Sequence, residues 1–177
     1  MFINEFQSGT LEWYAIQVKL RQEKVIATTL LAKGFEAFAP TAPRKKGIRG
    51  PERPLFPGYV FGRFEVRRRL PILLTPGVYS IVGYGKIPAA IPDSEILAIQ
   101  KVVEEKLSTE PCAFPALGSR VKVVSGPLAG YEGVLLETRS SCRFVLSVAA
   151  IQRSIRIEVD PSTLTFIEED SRNFRCG

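Results

Sequence analysis

The chain has 177 residues, 45% of them hydrophobic and 24% charged, with a formal net charge of +6 and no histidine. That length accommodates one medium domain or two small ones, and no apolar run approaches the roughly 20 residues that a membrane helix needs. The missing histidine removes the commonest general base and the commonest metal ligand together. No catalytic residue, metal site or cofactor is expected, and the chain does not read as an enzyme.

The start, MFINEFQSGTLEW, has no basic stretch followed by an apolar core, so no signal peptide is expected. Cys112, Cys142 and Cys176 are odd in number and far apart, which argues against a disulfide framework and points to a reducing cytoplasm. The positive charge is uneven. Residues 44–69 carry nine basic and two acidic side chains, whereas residues 108–177 carry eight of each. A basic segment of that kind suggests a polyanion nearby.

Taken in chain order, Trp13–Val18 (WYAIQV) reads as a core strand. A helix should follow, with Leu20, Val25, Ala27, Leu30 and Leu31 at approximately helical spacing and Gly34 stopping it. FEAFAP alternates as a second strand. Residues 41–54 (TAPRKKGIRGPERP) are loop-like, and Gly58–Phe64 (GYVFGRF) is a third strand. A short helix disturbed by Pro71, then a strand in VYSIVGYG, lead to the cleanest helix in the chain. There Asp93 or Ser94 can cap, and Ile96, Ile99, Val102, Val103 and Leu107 form an apolar stripe.

STEPCAFPALG breaks the pattern with two prolines, and a linker is expected at residues 108–116. Only strand signals follow, at Arg120–Val124, Gly133–Thr138, Arg143–Val148, Ser154–Val159 and Leu164–Ile167. Five short strands joined by turn residues suggest a small closed barrel.

VKVVSGPLAGYEGVLLE, residues 121–137, concentrates Gly126, Pro127, Gly130 and Gly133 between two of these strands. A phosphate-binding loop would need Gly-Lys-Ser/Thr leading into a helix, but this stretch leads into a strand. The glycines are therefore structural, with Gly126–Pro127 turning the chain and Gly130 and Gly133 allowing unusual φ or close packing.

The same stretch resembles the KOW motif. WYAIQVKLRQEKVIATTLLAKGFEAFAP, PLFPGYVFGRF, LTPGVYSIVGYG and PAAIPDSEILAI resemble, in order and spacing, the N-terminal domain of the NusG family. The resemblance spans about residues 12–168. It implies an α+β N-terminal NGN domain, an antiparallel sheet with helices, over residues 12–107. A small all-β, SH3-like KOW barrel would follow over residues 117–168. Residues 1–11 would be loosely attached, and residues 169–177 a tail.

What the family resemblance further implies is a transcription elongation or antitermination factor, a cytoplasmic monomer away from any membrane. Its N-terminal domain would bind the clamp coiled coil of RNA polymerase. Trp13, Tyr14, Phe56, Tyr59 and Phe61 match that face, and alternation should place Tyr59 and Phe61 on one side of their strand and Val60 on the other. Basic contacts to upstream DNA or nascent RNA fall on Arg44, Lys45, Lys46 and Arg49, and on Arg67, Arg68 and Arg69. The barrel would recruit a small-subunit ribosomal protein or Rho through Ile151 and Arg153. In AIQR (Ala150–Arg153), Gln152 stands where the family has glycine, and PLFPGYVF resembles the specialised RfaH and UpxY-like paralogues. The competing reading is a ribosome- or RNA-associated KOW protein.

Overall fold

The structure is a computed structural model that describes residues 9–42, 52–113, 118–138 and 141–167. Residues 1–8, the basic side chains Arg44, Lys45, Lys46 and Arg49, and the tail at 169–177 lie outside the described residues. Elements run β1 (Glu12–Val18), α1 (Glu23–Ala32), β2 (Glu36–Phe38), β3 (Thr41–Ala42), β4 (Arg53–Pro54) and β5 (Tyr59–Phe64). Next come α2 (Leu70–Leu73), β6 (Val78–Ile81), β7 (Gly83–Tyr84), β8 (Ile87–Pro88), β9 (Ala90–Ile91) and α3 (Asp93–Glu104). The rest is all strand, β10 (Thr109–Ala113), β11 (Ser119–Val123), β12 (Glu132–Thr138), β13 (Ser141–Val148), β14 (Arg153–Glu158) and β15 (Leu164–Phe166).

The N-terminal sheet is ordered β2-β5-β1-β6, with β9 also on β1, and every pairing is antiparallel. Its strands are apolar on both faces because both are covered. On one face Tyr14, Ile16, Val18, Val60 and Phe64 pack with Ile26, Ala27 and Leu30 of α1. On the other, Trp13, Ala15 and Phe61 join a second core with α3. Gly34, at φ +83°, ends the α1 segment as expected. The buried stripe of α1 differs from the expected one, since Leu20, Val25 and Leu31 are exposed and Ile26 points inward. The α3 stripe of Ile96, Ile99 and Val102 is buried as its spacing required.

The five C-terminal strands foreseen from sequence are all present within two residues of their expected ends. With β10 they form a single antiparallel path of six strands, β10-β14-β13-β12-β11-β15. The first member corrects the expected linker at 108–116. Residues 109–113 are paired with β14, with Pro111 opposite Ile155 and Cys112 opposite Ser154. Two features permit this. Pro111 sits on an edge strand, where a missing N–H leaves no ladder bond unmade. Arg156 Nε and Nη2 both donate to Glu110 Oε2, at 3.0 and 2.6 Å, across that pairing.

Of the four turn residues, Gly126 and Gly130 lie at φ +88° and +92°, the left-handed region where a side chain is strained. Gly133 has a different reason. A Cβ there would stand 2.5 Å from the Val145 carbonyl oxygen and 2.6 Å from the Phe144 ring.

The two halves share a core. α3 packs against both β1 and β13, and β9 meets the 3-10 turn Ala149–Ile151. Trp13, Phe56, Phe61 and Ile96 therefore belong to one buried cluster with Phe144, Val148, Ile151 and Ile155. Gly133→Ala tests how rigid the C-terminal part of that core is. Overpacking against backbone should cost about 1–3 kcal/mol, read as a lower midpoint in denaturant unfolding, whereas a surface Ser→Ala control should shift it little.

Candidate partner-binding face

The expected polymerase-binding residues divide between the two faces of the sheet. Neighbouring strand residues point to opposite sides, so Trp13 and Tyr14 cannot share a face. Trp13 lies with Phe56, Tyr59 and Phe61 in the cluster that meets the C-terminal sheet. Tyr14 is 1% exposed on the α1 side, with Val60. Tyr14 is thus corrected to a core residue. Its hydroxyl donates to Glu12 Oε2 at 2.8 Å, and burial together with that neighbouring carboxylate raises its pKa. Tyr59 and Phe61 share a face opposite Val60, as alternation predicts.

The face is a chain of rings. Trp13 meets Phe38 edge-on at 5.6 Å between centroids, Phe38 meets Phe61 at 5.6 Å, and Phe61 meets Phe56 edge-on at 5.4 Å. These separations lie within the favourable range for aromatic pairs. Phe38 was not among the expected residues, although in FEAFAP it lies on the face opposite Ala37. Arg63 is a second omission. It stands opposite Trp13 in the β1–β5 register, its Nη1 is 3.7 Å from Glu36 and its Nη2 4.0 Å from Asp93, and its Nε is buried without a partner.

A buried carboxylate holds the segment that carries Phe56 and Tyr59. Glu23, 4% exposed at the start of α1, accepts from the Gly58 N–H at 2.8 Å. Gly58 itself is at φ +83°, so PGY can turn sharply into β5.

Of the residues expected to recruit a second partner, Ile151 is buried in the shared cluster, whereas Arg153 is exposed. Arg153 lines a cleft of about 470 Å³ between Leu20, Leu55, Phe56 and Pro57 on one side and Pro111, Cys112 and Ala113 on the other. Cys112 is a free thiol whose pKa is pushed up by burial. Gln152 adopts the left-handed conformation, φ 50° and ψ 44°, and its own Nε2 donates to the Ala149 carbonyl at 2.8 Å. A position where the family pattern has glycine thus retains a glycine-like backbone.

The arginine trio is not a single patch. Arg67 and Arg69 line a groove of about 570 Å³ with Lys86, Glu12 and Glu65. Arg68 instead lies over the Phe35 ring, 5.6 Å from its centroid, and Arg69 also donates to the Val66 carbonyl at 3.1 Å. Among the described residues no cluster of His, Cys, Asp or Glu could hold a metal, and no helix is long and apolar enough to cross a membrane.

A two-faced antiparallel α/β sheet, a chain of aromatic rings on one of its faces and a C-terminal β unit make up the fold. The family model described as transcription termination factor nusG matches residues 11–100, half of the chain, and the chain belongs to the NusG family. It is 27% identical over 166 residues to the transcription termination/antitermination protein NusG of Helicobacter pylori strain ATCC 700392 / 26695, covering 84% of this chain and 94% of that protein. It is 28% identical over 166 residues to the same-named protein of Pseudomonas aeruginosa, again covering 84% and 94%. The fold matches a structure titled "Domain interaction in Thermotoga maritima NusG" with a TM-score of 0.58 and 20% identity, covering 89% of this chain and 98% of that one.

Two substitutions test the geometry. Gln152→Gly relieves a left-handed non-glycine residue, worth roughly 1–2 kcal/mol, and should raise stability by that amount less glycine's extra chain entropy and whatever the Gln152–Ala149 hydrogen bond contributes. Glu23→Ala leaves the Gly58 N–H unpaired and should cost about 1–3 kcal/mol. Both are read from chemical unfolding midpoints.

Proposed function

We propose that the face carrying Trp13, Phe56, Tyr59 and Phe61 is the surface through which this elongation factor docks on the clamp coiled coil of RNA polymerase. The C-terminal unit, a KOW-type SH3-like barrel spanning residues 117–168, covers that face in a closed state. The observation that carries this reading is the single buried cluster, in which the ring chain of residues 1–107 and the barrel's Phe144, Val148 and Ile151 are continuous. Aromatic rings arrayed along a strand and rimmed by charge suit a helical partner. The names of the relatives, termination and antitermination proteins, supply the class of process.

In the open form the factor promotes processive elongation or antitermination as a monomeric, non-enzymatic cytoplasmic protein without cofactors. Ile151 and Arg153 are then free to recruit a small-subunit ribosomal protein or Rho. Arg44, Lys45, Lys46 and Arg49, with Arg67 and Arg69, contact upstream DNA or nascent RNA. The PLFPGYVF segment supports a specialised paralogue over a housekeeping one.

The test uses the full chain and core RNA polymerase. Ile151→Lys places a charge in the closed contact and should strengthen polymerase binding at least tenfold. Adding Tyr59→Ala should then weaken it about thirty-fold, since truncating a hot-spot aromatic costs about 2 kcal/mol. If Ile151→Lys binds no more tightly than wild type, the closed state is wrong. If Tyr59→Ala has no effect, the docking face is wrong. Tight, steeply salt-dependent RNA binding with none to polymerase would favour the RNA-associated reading.

A further inference from the structure

We infer that the contact between α3 and the 149–151 turn is a proton-linked latch, in which closure of the barrel over the aromatic face is coupled to protonation of Glu95. The inference rests on the closed state proposed above and assigns a residue to its regulation.

Glu95 lies in the first turn of α3, the helix that packs on both β1 and β13. Its Oε2 is buried with no hydrogen-bond partner. The polar group that favours its charged form is the backbone N–H of Ala149, on the far side of the joint. Burial outweighs that contact and raises the Glu95 pKa.

The charged groups on the surrounding elements are otherwise engaged. On α3 itself, Lys101 pairs with Glu105 at 2.8 Å and Asp93 is 4.0 Å from Arg63. On β5, Arg63 also faces Glu36. On β1, Glu12 accepts from Tyr14. On β13, Arg143 lines a small polar cleft with Glu110, Arg156 and Glu158. Beyond the turn, Arg153 lines the cleft with Leu20 and Phe56. Tyr131, just before β12, is near Lys101. Among the described residues, none of these groups pairs with Glu95.

The sign follows directly. In the closed form Glu95 has a raised pKa, and in the open form it returns to the ordinary glutamate range near 4.3. Closure therefore takes up a proton. The linkage favours the closed form fully below the ordinary value and is lost as pH rises through the raised one. Between those two values the closed-to-open ratio changes by at most tenfold per pH unit, the limit for one proton. The chain has no histidine, so carboxyls are the side chains that titrate on the acid side of neutrality. Above the raised value the ionised Glu95, with its Oε2 buried and unpartnered, works against closure and favours release of the aromatic face.

The chain's single tryptophan provides the readout, because Trp13 is 5% exposed within the shared cluster. Acrylamide quenching of Trp13 in the full-length protein, measured from neutral pH down to the ordinary glutamate range near 4.3, should fall as pH falls. Glu95→Gln, which retains the shape and an oxygen acceptor for the Ala149 N–H, should be protected throughout and show a flat profile. Its affinity for core RNA polymerase at pH 7.5 should fall several-fold. Ile151→Lys should be quenched strongly at every pH. If Ile151→Lys leaves Trp13 protected, the closed state itself is wrong. If Ile151→Lys opens the molecule but wild type and Glu95→Gln share one pH profile, the closed state stands and the latch is overturned. Circular dichroism of each variant confirms that altered quenching does not arise from unfolding.

Discussion

Everything in this molecule depends on one constraint, that the N-terminal sheet has to cover two apolar faces with few helices. Alternation along β1 and β5 sends Tyr14, Ile16, Val60 and Phe64 to α1, and sends Trp13, Ala15 and Phe61 the other way. α1 is ten residues long and covers the first face. On the second face α3 covers part of the area, and the remainder is closed by the C-terminal sheet. An apolar sheet face left in water would lose roughly 25 cal/mol for each Å² not buried. The face is therefore covered by the chain itself or by a partner. That choice is the physical basis of the closed and open forms proposed above.

How much of this was legible from sequence depended on how local the cause was. The strands of both halves, the α3 stripe and the stop at Gly34 follow from periodicity and from residues adjacent in the chain. The structural role of Gly126 and Gly130 was equally local, since it lies in their own φ. The division of Trp13 from Tyr14 was also within reach. Alternation that correctly paired Tyr59 with Phe61 applies equally to neighbours on β1, but the family resemblance grouped the two aromatics by proximity in sequence.

Other features had non-local causes. Pro111 looked like a strand breaker because its edge position is defined by β14, more than forty residues away. The α1 stripe was misjudged because Leu20, Val25 and Leu31 satisfy helical spacing about as well as Ile26, Ala27 and Leu30, and only the partner strand decides between them. The burial of Phe56 and Phe61 behind Ile151 depends on the docking of two units. No periodicity within either unit encodes that docking.

The quality of the joint bears on whether it is a permanent core. A native interior leaves very few buried polar atoms unpaired, because each costs about 1–3 kcal/mol and more when charged. Among the described residues three such side-chain atoms remain, Arg63 Nε, Glu95 Oε2 and Thr109 Oγ1. Arg63 stands opposite Trp13 on the aromatic face, Glu95 faces the 149–151 turn, and Thr109 opens β10, whose Pro111–Ala113 line the cleft between the halves. None of the three lies in the core between β1 and α1. Among the described residues, the unpaired polar atoms thus lie outside the core that must survive opening. Apolar rings favour the joint, and two charged side chains, each with one buried atom left without a partner, oppose it. A contact balanced in this way can release its aromatic face to a helical partner at modest cost.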